Sequence, residues 1–285
     1  MKVLVTGAKG QLGCDIMKRL SIAGIESKGV DRDDFDIVDK ASVSACINEE
    51  CPDIVVHCAA YTAVDKAELD HERETCYSIN VTGTKNISEA CKEVGATVIY
   101  FSTDYVFNGM GDKSYEVHDM CAPVNYYGMT KYKGEQAVVA SGVNYFIIRI
   151  SWVFGRHGAN FVKTILRLAQ TQNEIRVVRD QIGSPTFTED LATLVVDMAL
   201  TNKFGLYHAT NDGFCSWFDF AREVLRISGK EGINVIPINS EDYPTAAVRP
   251  KNSRLSKTSL QNMGFSPLPH WKDAVFRFLT EEGSL

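Results

Sequence analysis

The stretch KVLVTGAKGQLG, residues 2–13, joins a short apolar run to a glycine-rich turn and the start of a helical pattern. Its glycines, Gly7, Gly10 and Gly13, follow the spacing G-x-x-G-x-x-G. In a dinucleotide-binding turn the first glycine permits a tight bend, the second lets the backbone approach a phosphate, and the third allows close helix–strand packing. The N-terminus of the following helix offers N–H groups to a pyrophosphate. The stretch therefore predicts a cofactor-binding turn, with an ordinary glycine-rich turn as the alternative.

The same alternation of strand and helix patterns continues to residue 150. The strand candidates are rich in β-branched residues and apolar on both faces, and they lie at 2–6, 53–57, 97–102 and 144–150. Helical patterns separate them and lie at 11–22, 40–50, 66–94 and 124–141. Strands of this kind are typical of buried parallel sheets. We therefore expect an α/β fold, a Rossmann-type doubly wound parallel sheet with right-handed crossovers.

After residue 150 the alternation weakens, which indicates a change of architecture. We expect residues 1–150 to form a dinucleotide-binding domain, joined by part of 180–210. Residues 151–285 should form mainly a smaller C-terminal α/β substrate-binding lobe over the carboxyl edge of the sheet, where ligands bind in open α/β folds. In this half the helices are expected at 159–171, 216–228 and 266–282, and the strands at 206–210 and 234–238.

The composition excludes several classes of protein. A net charge of −6 over 285 residues disfavours a general nucleic-acid binder, which needs a basic face. The eight cysteines form no C-x-x-C pair, as expected of reduced thiols, and the six histidines show no metal-ligand spacing. The opening MKVLVTG does not resemble a signal peptide, and no apolar run approaches the ~20 residues that span a membrane. We therefore expect a cytoplasmic protein with no membrane segment, and the residues alone predict no metal site.

A second motif lies in PVNYYGMTKYKGE, residues 123–135, where Tyr127 and Lys131 stand four residues apart on a predicted helix. Four helical residues span ~6 Å and face the same side. An ammonium near a phenol lowers the pKa of the phenol, and the lysine could also bind the ribose of a cofactor. Thr103, at the end of the strand pattern 97–102, adds a hydroxyl at the same edge. Together Thr103, Tyr127 and Lys131 predict a catalytic set that passes a proton to a carbonyl as hydride arrives, with a chance Y-x-x-x-K as the alternative.

Further cofactor contacts are predicted at the ends of the second and third strands. Asp31 could bind a ribose 2′-hydroxyl and favour NAD, whereas Arg32 could bind a 2′-phosphate and favour NADP. The alternative is that these charges only solvate a loop. Next to them, Asp36 and Ile37 are expected near the adenine. After the third strand, the small Ala59 and Ala60 either let a cofactor lie against the backbone or serve tight packing.

On these motifs the chain resembles the extended short-chain dehydrogenase/reductase superfamily and, within it, the dTDP-4-dehydrorhamnose reductases. The resemblance covers nearly the whole chain and rests on TGAKGQLG, AAYTAVDKAE, FSTDYVFNG, YYGMTKYKGE, RISWVFG, NFVKTILRLA and VVRDQIGSPT. It implies reduction of a dTDP-linked 4-keto sugar to dTDP-L-rhamnose, with NADPH, or alternatively NADH, as the cofactor. Such a reaction supplies a deoxysugar nucleotide for cell-surface polysaccharide.

The resemblance also implies roles for individual residues. The cofactor phosphates would contact Gly10, Gln11 and Leu12, and the ribose and nicotinamide side would contact Ala60, Tyr61 and Thr62. Tyr61 stands where the family commonly has histidine. The sugar pocket would be lined by Asp104, Tyr105 and Trp152, with Thr103 binding the reacting oxygen and Asn160 nearby. Some family members use magnesium at a dimer contact, but no residue of this chain is assigned to it, and a monomer and a homodimer are both compatible with the sequence.

One substrate contact is predicted from charge. The segment VRPKNSRLSK gathers Arg249, Lys251 and Arg254 in an acidic chain, and arginine suits bidentate phosphate contacts. We expect Arg249 to bind the diphosphate of the substrate, although a solvated basic loop is the alternative. Two rival functions also stay open: an NAD-dependent sugar-nucleotide epimerase, and a non-enzymatic regulatory subunit with this fold, as in the β subunit of methionine adenosyltransferase.

Overall fold

The computed structural model describes residues 1–283. Within this range the strands are β1 Lys2–Thr6, β2 Glu26–Val30, β3 Ile54–His57, β4 Thr97–Thr103, β5 Asn144–Ile150, β6 Val153–Phe154, β7 Glu174–Val178, β8 Ile182–Gly183, β9 Thr186–Phe187, β10 Gly205–His208, β11 Cys215–Ser216, β12 Asn234–Ile238 and β13 Asn252–Ser253. The helices are α1 Gln11–Ile22, α2 Lys40–Glu50, α3 Asp70–Tyr77, α4 Thr84–Val94, α5 Tyr126–Ala140, α6 Phe161–Leu168, α7 Thr188–Ala199, α8 Trp217–Ile227, α9 Thr258–Asn262 and α10 Trp271–Glu281. Shorter helical turns lie at Lys66–Glu68, Ser78–Gly83, Asp104–Val106 and Ser240–Asp242.

The main sheet has the strand order β10-β5-β4-β3-β1-β2, and every neighbouring pair is parallel. The predicted Rossmann-type fold class is therefore confirmed. In the register of the sheet Thr6 pairs with His57, and Thr103 pairs with Ile150. These residues end their strands, so the loops that follow β1, β3, β4 and β5 all leave from one carboxyl edge.

Helices cover both faces of this sheet because successive strand residues point to opposite sides. On one face Val3 and Val5 pack with α1 and α7, and on the other Leu4 packs with α2 and α4. The helix α7 comes from the second half of the chain, as does the edge strand β10. The strand expected at 206–210 thus belongs to the main sheet, within the stretch 180–210 that was expected to join residues 1–150, and it starts one residue earlier.

The helical pattern at 66–94 is not one helix. It is divided into a 3-10 turn, α3, a π-helical turn over Ser78–Gly83 and α4. The first break falls at Leu69, whose backbone is extended (φ −76°, ψ 130°). The π turn carries Asn80, whose side chain is buried and bonded outside the helix. Local π geometry of this kind often accompanies functional positions.

The rest of the second half forms a separate apolar cluster. Its centre is aromatic, with Phe154, Phe220 and Phe278 packed between α6, α8 and α10. The predicted helices and the strand at 234–238 are all present, and the strand pairs with β7. Nowhere in residues 1–283 is there a helix with the length and apolar character needed to traverse a bilayer.

Candidate active site

The glycine turn after β1 has the geometry that its spacing predicts. Gly7 has φ +65°, and a Cβ there would lie 2.7 Å from the backbone nitrogen of Ala59. A Cβ at Gly13 would collide with the carbonyl oxygen of Gly7. Gly10 occupies the N-cap position of α1 and provides no side-chain cap, so the first N–H groups of the helix stay available. Only glycine fits the first and third positions, and the turn presents bare backbone to a ligand.

A cleft of about 670 Å³ opens beside this turn. Its lining includes most of the cofactor residues predicted from the sequence, namely Gly7, Gly10, Asp31, Arg32, Asp36, Ile37, Ala59 and Ala60. It also includes residues that the sequence did not indicate, among them Lys9, His71 and Glu74. The volume and the uncovered backbone fit an extended dinucleotide.

The acidic residue at the end of β2 organises the turn. The carboxylate of Asp31 accepts the backbone N–H of Lys9 at 3.0 Å with one oxygen and that of Arg32 at 2.8 Å with the other. Asp31 thus links the loop after β2 to the glycine turn. Arg32 itself is exposed and lines the cleft, so its guanidinium is accessible to a bound ligand.

Seven predicted cofactor residues do not line the cleft, and Leu12, Gly13, Tyr61 and Thr62 are among them. Leu12 packs into the apolar core, and Gly13 packs against the backbone of Gly7 and Ala8 in the turn. The side chain of Tyr61 points to α3, where its hydroxyl donates to Glu72 at 3.0 Å, and Thr62 is exposed.

Gln11 links the two halves of the chain. Its side-chain oxygen accepts from Asn160 at 3.1 Å, and its side-chain nitrogen lies 3.4 Å from the carbonyl oxygen of Val153. Asn160 also donates to Gly155, so the side-chain donors of this residue are used within the protein. Asn160 therefore connects the second half of the chain to the start of α1.

Thr103 and Tyr127 come together at the carboxyl end of β4. Thr103 is the last residue of the strand, and Tyr127 stands in the first turn of α5, which Asn125 caps by accepting the N–H of Gly128 at 2.7 Å. Burial raises the pKa of Tyr127, the charge of Asp104 adds to the increase, and the adjacent hydroxyl of Thr103 opposes it. The phenol is therefore protonated at neutral pH.

Lys131 lies one turn further along α5 and is 3% exposed. Its ammonium lies 4.1 Å from the ring centroid of Tyr100, and burial lowers its pKa to about 7 while Glu135 opposes the decrease. Its positive charge also contributes to the lowered pKa of His57, which burial dominates, and opposes the increase at Cys58, which lines the cleft. The expected lowering of the Tyr127 pKa by Lys131 is wrong for this geometry, because burial and Asp104 dominate and raise it. The lysine lies instead near Cys58, on the side of the cleft.

Asp104 follows Thr103 and is 2% exposed. One of its oxygens, Oδ1, accepts from the hydroxyl of Thr103 at 3.0 Å, and the other, Oδ2, has no hydrogen-bond partner in the described chain. Burial raises the pKa of Asp104 to about 6, against the opposing effect of Ser253 and Thr103. Tyr105 places its ring edge-on to Tyr127, with the centroids 5.9 Å apart. Asp104 therefore lies against Thr103, and Tyr105 lies against Tyr127.

The basic residues of the segment near residue 250 bind different partners. Arg249 donates to Asp65 at 2.7 Å and to the hydroxyl of Tyr105 at 3.4 Å. Lys251 pairs with Asp180 at 3.2 Å, away from this group. Arg254 donates to its neighbour Asn252 at 2.9 Å, so of the three cations it is Arg249 that contacts Tyr105.

Trp152 has a left-handed backbone with φ +49°, a strained conformation for a bulky residue. Its ring stacks on Trp217 with a centroid distance of 3.8 Å, and a side chain on Gly183 would collide with it. Trp217 was not indicated by the sequence, because the two tryptophans are far apart in the chain.

Asn80 is a second residue that the sequence did not reveal. Its side-chain oxygen accepts the backbone N–H of Tyr61 at 2.8 Å, and its nitrogen donates to the carbonyl oxygen of Tyr61 and to Thr130 on α5. Asn80 thereby joins the loop after β3 to the helix that carries Tyr127 and Lys131. A single asparagine within a helical pattern has no signal that distinguishes this role.

The described residues offer no cluster of potential metal ligands. Among residues 1–283 no group of three or more His, Cys, Asp or Glu side chains is placed to hold a metal ion. The magnesium ion that some family members use therefore has no group of ligands among residues 1–283.

Comparison with known proteins connects this geometry to a family. A family model described as the RmlD substrate binding domain matches residues 1–283. The spore coat polysaccharide biosynthesis protein SpsK of Bacillus subtilis (strain 168) is 40% identical over 283 residues, which cover 99% of this chain and 98% of that protein. The dTDP-4-dehydrorhamnose reductase of Escherichia coli (strain K12) is 39% identical over 296 residues, with 99% of this chain and 98% of that protein covered.

A solved structure agrees with these relatives. The crystal structure of dTDP-4-dehydrorhamnose reductase from Bacillus anthracis str. Ames, in complex with NADP, has a TM-score of 0.95 and 41% sequence identity to this chain. The match covers 98% of this chain and 99% of that chain. Since the family model and these relatives match along nearly the whole length, the protein belongs to the dTDP-4-dehydrorhamnose reductase family, within the extended short-chain dehydrogenase/reductase superfamily.

Proposed function

We propose that the protein reduces the 4-keto group of dTDP-4-dehydro-L-rhamnose to give dTDP-L-rhamnose, with NADPH as the preferred cofactor and NADH as a weaker one. The product is a deoxysugar nucleotide of the kind used to build cell-surface polysaccharide. The observation that carries the proposal is the placement of Thr103 beside Tyr127 at the end of β4, with Lys131 buried toward the adjoining cleft. The family relationship supports the choice of substrate.

Tyr127 is the proton donor in this reaction. Its raised pKa keeps the phenol protonated at neutral pH, and a reduction needs that form, since the ketone oxygen must gain a proton. The nicotinamide of the bound cofactor supplies hydride to the ketone carbon. The hydroxyl of Thr103 contacts the same ketone oxygen and holds it against the phenol.

The cofactor binds along the glycine turn. Gly7 and Gly10 let the backbone approach the diphosphate, and Arg32 presents a cation to the 2′-phosphate at the edge of the cleft. Lys131, next to Cys58 behind the cleft, reaches the ribose hydroxyls on the nicotinamide side. Residues 1–150, with α7 and β10, therefore form the cofactor-binding domain.

The substrate binds on the side formed mainly by residues 151–285. Arg249 binds the diphosphate, because its guanidinium lies next to Tyr105 and is half-buried among polar partners. Trp152, supported by Trp217, presents an aromatic face to the apolar side of the deoxysugar. The cysteines of the described chain are all unpaired thiols, which supports a cytoplasmic location for the reaction.

The test is oxidation of NADPH by the purified protein with dTDP-4-dehydro-L-rhamnose, followed by absorbance, with the sugar product identified by NMR. Tyr127→Phe should lower kcat by about 10²–10⁴-fold and leave NADPH affinity nearly unchanged. Tyr126→Phe is the matched control, because this neighbouring phenol packs against Arg73 on α3. Absence of NADPH oxidation by the wild-type protein refutes the proposal, and an epimerised sugar with unchanged cofactor would identify an epimerase.

A further inference from the structure

The hydroxyl of Thr103 forms two hydrogen bonds with the two residues that follow it. It accepts the backbone N–H of Tyr105 at 3.2 Å and donates to Oδ1 of Asp104 at 3.0 Å. A threonine hydroxyl has a single proton, and an ionised carboxylate can only accept. While Asp104 is charged, the proton of Thr103 is therefore directed at Asp104, and Thr103 has none left for a ketone oxygen.

Protonation of Asp104 reverses this hydrogen bond. The carboxylic acid can donate from Oδ1 to Thr103, whose oxygen has two lone pairs and can accept this proton together with the N–H of Tyr105. The single proton of Thr103 is then directed away from Asp104. It can point at the ketone oxygen, beside the phenol of Tyr127. No covalent bond changes except the O–H bond of Asp104, whose proton comes from solvent.

From this geometry we propose that Asp104 is a positioning residue whose protonation turns Thr103 into a hydrogen-bond donor for the reacting ketone oxygen. The proposal rests on the proposed reductase function and adds to it a regulatory role for a residue otherwise expected only to line the sugar pocket. Asp104 does not exchange a proton with the substrate itself.

The surroundings of Asp104 favour its neutral form. Its side chain is almost fully buried, and burial outweighs the stabilisation of the charge by the nearby hydroxyls of Ser253 and Thr103. The groups that face it are Tyr105 from its own turn, Tyr127 from α5 and Ser253 from β13. The nearby cation, Arg249, is bonded to Tyr105 and Asp65.

The charge of Asp104 also opposes catalysis through its effect on the pKa of Tyr127. The ionised carboxylate contributes to the raised pKa of the phenol and so makes it a weaker acid. Neutralising Asp104 therefore strengthens the proton donor and frees the proton of Thr103 at once. Both effects predict faster hydride transfer at a pH below the pKa of Asp104, which burial raises to about 6.

The experiment measures single-turnover NADPH oxidation by stopped flow between pH 5 and 9, with saturating keto sugar. The wild-type rate should fall about tenfold per pH unit above the pKa of Asp104. Asp104→Asn cannot ionise, so its rate should lack the fall that begins near pH 6 and keep only the pH dependence due to Lys131, whose pKa burial lowers to about 7. Asp112→Asn, at an exposed carboxylate outside the site, should keep the wild-type slope. A wild-type slope in Asp104→Asn, or a wild-type rate independent of pH, overturns the proposal.

A second measurement does not depend on turnover. Carboxyl ¹³C NMR of the aspartate-labelled protein with NADPH should show one aspartate that titrates near pH 6 or above and is missing from Asp104→Asn. Thr103→Val should raise that pKa further, since it removes a hydrogen bond to the charged form. A pKa of Asp104 in the ordinary carboxyl range refutes the proposal even if the enzyme is active. Failure of the wild-type protein to reduce the keto sugar, with the titration as expected, would instead refute the proposed function.

Discussion

The ammonium of Lys131 lies over the ring of Tyr100, 4.1 Å from its centroid, between α5 and the main sheet. Burial lowers the pKa of this lysine to about 7 from an ordinary value of 10.5. Between these two pH values the unfolded chain binds more protons than the folded chain, so the free energy of unfolding contributed by Lys131 rises with pH. A charged Lys131 therefore destabilises the protein at neutral pH.

We predict that Lys131→Met stabilises the protein without cofactor by about 1–3 kcal/mol at pH 7. The gain should be smaller at pH 10, where Lys131 in the wild-type folded protein is neutral. Urea denaturation at both pH values measures the difference. Lys133→Met, an exposed lysine on the same helix, is the control and should change little. A variant less stable than wild type at pH 7 would contradict the argument.

Lys131→Met should also lower enzymatic activity, although it raises the free energy of unfolding. If Lys131 binds the ribose of the cofactor, Lys131→Met should weaken NADPH binding as well as lower kcat. Tyr127→Phe should affect kcat alone, so the two variants separate the roles of the two residues. Fluorescence titration with NADPH measures the first effect, and equal affinity in wild type and Lys131→Met would exclude a role for the lysine in binding the cofactor.

Cofactor preference should depend on Arg32. Its guanidinium lines the cleft, whereas Asp31 holds the backbone of the turn. Loss of a hydrogen-bonded charge typically costs about 1.5–3 kcal/mol, so Arg32→Ala should raise KM for NADPH about 10–100-fold. KM for NADH should change far less, because NADH has no 2′-phosphate. Arg32→Lys keeps the charge and should retain part of the preference; equal losses for both cofactors in Arg32→Ala would show that Arg32 does not bind the phosphate.

The sequence predicted what depends on local pattern. The strand at 144–150 and the helix at 11–22 match the structure because a β-branched run and an amphipathic run each have a clear period. The glycine turn was predictable for the same reason, since its three glycines are close in the chain. The helical pattern at 66–94 was misread, because the breaks at its 3-10 and π turns depend on contacts with distant residues.

Long-range contacts account for most of what the sequence did not predict at the site. Trp217 supports Trp152 and Asp65 holds Arg249 across wide separations in the chain. The pKa of Tyr127 depends on how deeply the phenol is buried, and the spacing to Lys131 contains no information on burial. Side-chain spacing predicted which groups meet, but packing determines the sign of their electrostatic effects.

Substrate affinity should depend on Arg249 and on the carboxylate that holds it. Arg249 donates to Asp65 at 2.7 Å, and Asp65 also accepts the backbone N–H of Ala247 at 3.1 Å. Arg249→Ala should raise KM for the sugar nucleotide about 10–100-fold, by loss of a charge-assisted contact with the diphosphate. Lys251→Ala is the control, because that cation pairs with Asp180. Steady-state kinetics decide, and an unchanged KM in Arg249→Ala would rule out the diphosphate contact.

The helix that carries Tyr127 is fastened to the sheet by a buried ion pair. Arg149 on β5 donates to both oxygens of Glu135 on α5, at 2.8 and 2.7 Å, and both side chains are almost fully buried. Glu135→Gln would leave the guanidinium charged without a compensating charge, which typically costs about 3–5 kcal/mol. We therefore expect a large decrease in the free energy of unfolding, measured by urea denaturation.

The pair of Arg73 and Asp70 on α3 is the matched comparison, because both side chains are exposed there. Asp70→Asn should cost less than about 1 kcal/mol, as is usual for exposed ion pairs. Replacing both Arg149 and Glu135 by methionine should recover part of the stability lost in Glu135→Gln, since no charge is then buried. A double variant that is no more stable than Glu135→Gln would mean that the uncompensated charge of Arg149 is not the cause of the loss, and that the packing of α5 on β5 is.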